Sequence, residues 1–262
     1  MKSSQIAIET HNLTVSYNRR PVLWNIDFSI PQGQIIGIIG PNGSGKTTLL
    51  KAIMGLVPLS SGYVKVFDQE LEEVRERISY VPQRETVDWD FPASVMDVVL
   101  MGRYRKGNII KRLSKLDREL ATEALEKVNM LEYSQRQISQ LSGGQQQRVF
   151  IARSLAQGAD LYIMDEPFVG VDAATEEAIL NLLSEMKKAG KTVVVVHHDL
   201  QTAKDYFDWI VLLNTRLVAV GPKKEIFNES LLQEAYGGKL NVLSKVGDLM
   251  KEKGFPIREN RK

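Results

Sequence analysis

Hydrophobic side chains along this chain fall into short, almost uninterrupted runs that polar segments separate. Residues 35–39, 161–164 and 192–196 are the clearest runs, and they consist mostly of isoleucine, valine, leucine and methionine. A strand that is covered on both faces has no polar face, so it is apolar at nearly every position. The runs therefore predict a parallel β-sheet that is covered on both sides.

The remaining pattern predicts the elements around this sheet. Short alternating stretches within residues 6–35 predict strands and turns, and residues 210–213 and 216–219 predict a closing hairpin. Residues 48–54 have the composition of a helix that follows the first buried strand. Between about 92 and 140 the apolar spacing is helical and strand signals are absent, which predicts an inserted helical part.

The composition is that of an ordinary globular protein, and it excludes several classes. The 262 residues carry 34 Lys and Arg against 32 Asp and Glu, so the net charge of +2 does not favour non-specific binding to nucleic acid. The absence of cysteine excludes disulfides and cysteine-ligated zinc or iron–sulfur sites. We expect no membrane-spanning segment and no signal peptide, because no apolar run has the necessary length.

A glycine-rich segment, residues 40–47, directly follows the first apolar run and fits the phosphate-binding pattern that ends in Lys-Thr. Glycines let backbone N–H groups turn towards a β-phosphate, and the following helix directs its positive end at the same group. Lys46 supplies a charge for the β- and γ-phosphates, and the Thr47 hydroxyl suits Mg²⁺. The nucleotide-binding residues predicted here are Gly40, Pro41, Asn42, Gly43, Ser44, Gly45, Lys46, Thr47 and Thr48.

Two adjacent carboxylates, Asp165 and Glu166, come directly after the second apolar run. Ligands bind at the carboxyl ends of the strands in open α/β sheets, so this position favours a role in the nucleotide site. The alternative is structural, with both acids capping the turn before Pro167.

A second short motif, Leu-Ser-Gly-Gly-Gln at residues 141–145, precedes a helical segment. Together with the phosphate loop it resembles the ATPase cassette of ATP-binding-cassette (ABC) transporters, over about residues 6–240. The resemblance implies an α/β fold: a P-loop NTPase (RecA-like) core with a mixed, mostly parallel sheet, an N-terminal antiparallel β subdomain and an α-helical subdomain inserted at about 85–140. It also implies a single cassette at residues 1–240, followed by a C-terminal tail at 241–262.

The resemblance assigns catalytic roles to three polar residues. In the family's pattern, Asp165 holds Mg²⁺ through water, and Glu166 polarises the attacking water as the general base. Gln83 occupies the position of the family's glutamine loop, where it contacts Mg²⁺ or the attacking water and senses the helical part. Without that position, a glutamine after Pro82 would be an ordinary surface residue.

Two further roles follow from the resemblance. His198 directly precedes Asp199, as the family's switch histidine does, so we expect it to contact the γ-phosphate; His197 is then a neighbour without that role. Tyr17 stands where the family carries an aromatic ring that stacks on adenine. The alternative for Tyr17 is an ordinary aromatic residue of a strand.

The signature motif implies a partner. In an ABC cassette the signature lies far from the phosphate loop of its own chain and completes the ATP site of a second subunit. The residues concerned are Ser142, Gly143, Gly144 and Gln145, and Asp172 is placed to contact the partner. We therefore expect a head-to-tail dimer that ATP bridges. One departure is Val169, where many cassettes have a serine whose hydroxyl contact is lost here.

The substrate class also follows from resemblance alone. Five segments, 84–92, 99–104, 145–150, 170–172 and 197–200, resemble the manganese, zinc and iron importer branch of the ABC family. The implied partners are polytopic permease subunits at the cytoplasmic face of the cell (inner) membrane and, indirectly, a metal-binding extracytoplasmic protein; nucleic acid is not expected. The alternatives are the ATPase of a siderophore or haem importer, and an ABC ATPase that acts on ribosomes or DNA.

The segment after Gln83 mixes aromatic residues with charges, since Trp89 and Phe91 alternate with Asp88 and Asp90. Aromatic residues rimmed by charge are typical of binding surfaces, so residues 84–104 are predicted to receive a cytoplasmic loop of the permease. The alternative is that Trp89 and Phe91 belong to the core of the helical part.

Overall fold

The computed structural model describes residues 5–104 and 113–237, so the predicted tail at 241–262 lies outside the described residues. The strands are β1 (Ile6–Tyr17), β2 (Arg20–Pro31), β3 (Ile35–Ile39), β4 (Ser61–Val66), β5 (Ile78–Val81), β6 (Leu161–Asp165), β7 (Thr192–His197), β8 (Trp209–Asn214) and β9 (Arg216–Pro222). The α-helices are α1 (Lys46–Ile53), α2 (Leu71–Val74), α3 (Val95–Met101), α4 (Lys115–Lys127), α5 (Gly143–Gln157), α6 (Ala173–Lys188), α7 (Leu200–Tyr206), α8 (Lys223–Ile226) and α9 (Glu229–Tyr236).

The strands form two sheets. The first is antiparallel, with three strands in the order β2-β1-β4. The second has six strands in the order β5-β6-β7-β3-β8-β9, and all its neighbours are parallel except the β8–β9 hairpin. The predicted parallel sheet and the predicted closing hairpin are therefore both confirmed.

Both faces of the second sheet are buried, which explains its uninterrupted apolar runs. In β7, Val193 and Val195 belong to one buried cluster, together with residues of α5 and α6. Val194 and Val196 belong to the other cluster, together with residues of α1 and the first sheet. Because successive side chains of a strand point to opposite faces, the four central positions of β7, Val193 to Val196, are all apolar.

Three helices, α3, α4 and α5, pack against one another and form the helical part. Each begins with a serine whose side chain accepts a hydrogen bond from the backbone three residues later, where an Asp or Gln reaches back. Arg103, after α3, donates to Asp117 in the first turn of α4 at 2.9 Å. The hydrogen bonds from Ser114, followed by that from Arg103, lower the pKa of Asp117 to about 2.

This architecture contains the antiparallel first sheet, the mostly parallel second sheet and the helical part that the resemblance implied. Within residues 5–104 and 113–237, no helix is both long enough and apolar enough to cross a bilayer. The strand order matters for function. Because β5, β6, β7 and β3 lie side by side, the residues after them meet at one edge of the sheet.

Candidate functional site

A cleft of about 540 Å³ lies at this edge of the second sheet. Parallel strands deliver the residues that follow them to the same edge, and here β3, β5, β6 and β7 do so. The cleft is lined by Val22, Asn42, Gly43, Gly45, Lys46, Thr47, Thr48, Gln83, Glu85, Glu166, Val169 and His198. The sequence therefore pointed to most of the residues that the fold brings together here.

The phosphate loop joins β3 to α1 and contains backbone that favours glycine. Gly43 and Gly45 have φ of +81° and +96°, a region that residues with a Cβ rarely adopt. Lys46 opens α1 and donates from Nζ to the carbonyl oxygens of Gly40 at 2.9 Å and Pro41 at 3.0 Å. Burial lowers the pKa of Lys46, while the carboxylates of Glu166 and Asp165 oppose that shift.

A buried hydroxyl in the same loop lacks a partner. The Oγ atom of Ser44 is inaccessible and has no hydrogen bond within the described structure. Buried polar groups are almost always paired, so an unpaired one beside a glycine-rich loop suits a ligand oxygen. Together with the Lys46 ammonium and the N-terminus of α1, this loop can hold a polyanion.

The end of β6 supplies the carboxylates opposite the loop. Thr47 donates from Oγ1 to Oδ1 of Asp165 at 3.2 Å, so the loop and the strand end meet directly. The other oxygen of Asp165, Oδ2, is buried without a partner. Burial and then the neighbouring Glu166 carboxylate raise the pKa of Asp165, against the hydrogen bond from Thr47 and the charges of Lys51 and Lys46.

Glu166 is the first residue beyond β6, and its backbone is in the left-handed region with φ of +50°. This conformation costs a residue with a Cβ about 1–3 kcal/mol, and in a cleft such strain is typical of a functional residue. Gln83, beyond β5, donates from Nε2 to Oε2 of Glu166 at 3.3 Å. Two residues 83 positions apart in the chain are thus joined inside the cleft.

The two histidines at the end of β7 differ in their surroundings. His198 is exposed and lines the cleft. His197 is 95% buried, shares a 2.7 Å hydrogen bond with Oγ1 of Thr202 and packs edge-on against Phe168. Burial, assisted by His198, lowers the pKa of His197 to about 4, so His197 is neutral near pH 7. The fold therefore separates a core histidine from a histidine at the cleft.

The signature residues do not line the cleft of their own chain. Ser142 is the exposed N-cap of α5, and its side chain accepts a hydrogen bond from the backbone of Gln145. Gly143 and Gly144 form the first turn of this helix. Asp172 is exposed as well; its Oδ1 caps α6 by accepting from the Thr175 N–H at 2.7 Å, which lowers the pKa of Asp172.

Tyr17 lies at the exposed end of β1, 45% accessible, and is not among the residues that line the cleft. Val22 and Glu85 do line the cleft, although sequence reasoning did not identify either. Val22 belongs to an alternating strand pattern that predicts only β structure. Glu85 lies two residues after Gln83, and this proximity was the available signal.

The site therefore combines an anion-binding loop, a buried carboxylate that suits a hard cation, and a second carboxylate in the same cleft. A carboxylate beside a bound terminal phosphate can take a proton from water, which is the chemistry of phosphoanhydride hydrolysis. The glutamine that bonds this carboxylate comes from a neighbouring strand end.

Comparison with known proteins agrees with this chemistry. The ABC transporter family model matches residues 23–169. The manganese transport system ATP-binding protein MntB of Bacillus subtilis is 59% identical over 236 residues, which are 90% of this chain and 94% of that protein. The zinc transport system ATP-binding protein TroB of Treponema pallidum is 55% identical over 241 residues, 92% of this chain and 91% of that protein.

Solved structures show the same fold. An inward-facing ABC transporter described as of metal-chelate type matches with a TM-score of 0.78 at 28% identity, over 88% of each chain. A nucleotide-free ATP-binding cassette from an ABC transporter matches with a TM-score of 0.74 at 25% identity, over 88% of this chain and 94% of that chain. Fold, site and relatives agree: the chain belongs to the ABC transporter family, as an ATP-binding and ATP-hydrolysing subunit.

Proposed function

We propose that this subunit hydrolyses ATP to drive import of a divalent metal ion, manganese, zinc or iron, through a membrane permease. The observation that carries the proposal is the identity of 59% and 55%, over nine tenths of the chain, to subunits named for manganese and zinc transport. A siderophore or haem importer is the weaker alternative, since the metal-chelate type transporter is only 28% identical.

In this proposal, Mg²⁺ accompanies ATP in the cleft. The unpaired Oδ2 of Asp165 and the hydroxyl of Thr47 are hard oxygen ligands of the kind that Mg²⁺ prefers, and Gln83 adds an amide oxygen. The bound ion would neutralise charge on the phosphates. Burial raises the pKa of Asp165, and a cation beside this carboxylate would offset that cost.

The roles that we propose for individual residues combine the family resemblance with the lining of the cleft. Glu166 accepts the proton of the attacking water, and Gln83 orients its carboxylate through the 3.3 Å hydrogen bond. Lys46 and His198 both line the cleft; Lys46 contacts the β- and γ-phosphates, and His198 contacts the γ-phosphate. Tyr17, which is exposed at the end of β1 and lies outside the cleft lining, stacks on adenine.

The ATP site is completed by a second copy of the chain. Ser142, Gly143 and Gly144 form an exposed helix N-terminus away from their own cleft, which is the arrangement that a head-to-tail dimer requires. Asp172, at the exposed start of α6, contacts the partner in the same dimer. Dimer formation is then linked to ATP, because each nucleotide joins two subunits.

The permease docks on a mostly apolar groove formed by the segment after Gln83 and by the helical part, and this docking holds the subunit at the cytoplasmic face of the membrane. The groove has a volume of about 210 Å³ and is lined by Val87, Asp88, Trp89, Phe91, Val98, Met101, Ile138, Phe150 and Arg153. Phe91 is 54% exposed and Met101 41% exposed, which supports a surface that a cytoplasmic loop of the permease covers. A shift of Gln83 on ATP hydrolysis would be felt at this groove.

Metal uptake tests the proposal in the native cell. Deletion of the gene should reduce uptake of radioactive manganese, zinc or iron to background. The wild-type gene should restore uptake, and so should Glu177→Gln, a control on the exposed face of α6. Glu166→Gln should not restore it. Unchanged uptake of all three metals, with loss of siderophore-bound or haem-bound iron, would contradict metal-ion import and favour the alternative.

A further inference from the structure

Arg84 stands between the two parts of the proposed shared site. Its neighbour Gln83 reaches into the cleft and bonds Glu166. Arg84 itself turns the other way and donates from Nε to Oε1 of Gln146, in the first turns of α5, at 3.1 Å. One peptide unit therefore connects a side chain in the nucleotide cleft with a side chain on the helix that carries the signature residues.

The contact with α5 is close because of a glycine. A methyl group at Gly143 would lie 2.9 Å from Cζ of Arg84 and 3.1 Å from its Nε, which is too short for an ordinary contact. Gly143 thus lets the planar guanidinium lie directly against the first turn of α5. This gives Gly143 an internal role in addition to its place in the signature.

The groups around Arg84 are themselves fixed. Gln146 is 96% buried, and its Nε2 donates to the carbonyl oxygen of Ile138 at 3.2 Å, so both ends of its amide are engaged. Trp89 donates from Nε1 to the Arg84 carbonyl oxygen at 2.8 Å, and the indole ring lies 5.9 Å from the guanidinium. Arg84 is held at the side chain and at the backbone.

The charge of Arg84 is placed against the local field. A cation near the N-terminus of a helix is disfavoured by the helix dipole, so α5 would more readily accept an anion there. The hydrogen bond to Gln146 and the nearby indole ring offset this cost. This placement is explained if the guanidinium sets the position of the helix end at which an anion is bound.

We propose that Arg84 is a positioning residue that couples Gln83 to the signature helix. It transmits the position of Gln83 in one ATP site to Ser142–Gly144, which meet the other ATP site of the dimer. The proposal rests on the proposed shared site. It predicts that loss of Arg84 leaves ATP binding to the single subunit intact and weakens the ATP-dependent pairing of subunits.

The experiment uses the full chain with Glu166→Gln, which keeps MgATP bound. Arg84→Met is compared with Arg136→Met, the same loss of charge from an arginine that lies over Tyr133 in the helical part. Binding of a fluorescent ATP analogue at low protein concentration should be equal in both. The ATP concentration that gives half-maximal dimer, measured by light scattering, should rise about tenfold for Arg84→Met alone, since one hydrogen bond of a charged group is lost.

Two additions separate position from charge. Arg84→Lys keeps the charge without the planar Nε donor, so it should behave like Arg84→Met; full rescue by lysine would overturn the positioning role. Gly143→Ala should displace the guanidinium and give the same loss, and it should add little when combined with Arg84→Met. A full further loss in the combined variant would also overturn the proposal.

Hydrogen exchange keeps this test independent of the dimer. MgATP should slow exchange in the first turn of α5 in Arg136→Met and not in Arg84→Met, at protein concentrations where the chain is monomeric. If Glu166→Gln forms no dimer with ATP, the shared site fails, and this exchange comparison alone decides the role of Arg84. Equal protection in the two variants would overturn the proposal.

Discussion

Two helix N-termini in this protein illustrate different ways of presenting backbone amides to an anion. α1 begins after Gly45 without a side-chain cap, inside a cleft that Lys46 and Glu166 also line. α5 begins at the exposed Ser142, whose side chain already accepts a backbone hydrogen bond. The first is an anion site whose binding groups at this helix end all come from one chain. The second satisfies part of its own requirement, so we expect it to bind only an anion that another subunit already holds.

Removal of the Glu166 carboxylate should have the largest effect on the cleft. Glu166→Gln should reduce ATP hydrolysis by about 10²–10⁴-fold, because the amide cannot accept a proton from water. MgATP binding should persist, since the phosphate loop is unchanged. Phosphate release and equilibrium binding of labelled ATP measure the two effects, and Glu177→Gln is the charge-matched control. Hydrolysis at the wild-type rate in Glu166→Gln would remove this residue from the mechanism.

Mixing two inactive variants tests whether the two N-termini belong to one site. Lys46→Ala removes the cation of the loop, and Ser142→Arg blocks the signature; each alone should lose about 10²–10³-fold in hydrolysis. An equal mixture should recover about a quarter of the wild-type rate, since half of the dimers then contain one intact site. Affinity tags on each variant establish that mixed dimers form. Mixed dimers without recovered activity would mean that the sites are not shared.

Two substitutions of aromatic residues test which side chains of the segment after Gln83 belong to the core. Trp89 is partly buried, meets Phe150 edge-on at 4.9 Å and bonds the backbone of Arg84, so Trp89→Ala should lower the free energy of unfolding by about 3 kcal/mol. Phe91 is 54% exposed, so Phe91→Ala should cost less than about 0.5 kcal/mol. Urea denaturation measures both.

The same pair separates docking from packing. Phe91→Ala should keep the basal ATPase activity of the isolated subunit and reduce metal uptake in the cell. Trp89→Ala should affect both in proportion to its loss of stability. If Phe91→Ala leaves uptake unchanged, the groove is not the docking surface for the permease.

Acid should lower the free energy of unfolding of the protein through the protonation of His197. Its pKa is about 4 in the folded protein, against 6.5 for an ordinary histidine. Between pH 6.5 and 4 the unfolded chain therefore takes up a proton that the native protein does not, and stability falls as the pH falls. The loss attributable to this residue should reach about 2 kcal/mol by pH 5. His197→Gln should remove that part of the pH dependence, and an unchanged dependence would contradict the assignment.

Local sequence patterns predicted the part of the site that the parallel sheet organises. The middle of a buried strand is apolar, and the polar residues at its carboxyl end and beyond are delivered to a shared edge. This is why Lys46, Asp165 and Glu166 could be identified beforehand. The burial of His197 fits the same logic, since it is the last residue of β7. The assignment of His198 to the γ-phosphate followed only from resemblance to the ABC family.

Contacts between distant segments could not be predicted in this way. The approach of Arg84 to Gly143 depends on how the helical part packs against the segment after β5, and no periodic pattern records that packing. Trp89 is a similar case, because the composition of the segment around it fits both a binding surface and a core. The structure assigns its ring to a contact with Phe150, whereas Phe91 stays exposed.

The left-handed backbone at Glu166 has a consequence for engineering this protein. A residue without a Cβ would adopt φ of +50° at lower cost, so selection for thermal stability alone would favour Glu166→Gly and reward loss of the carboxylate. A heat-stable variant found by screening for expression or melting temperature could therefore carry a substitution at this position that abolishes ATP hydrolysis. Screens on this scaffold should therefore select for turnover and stability together.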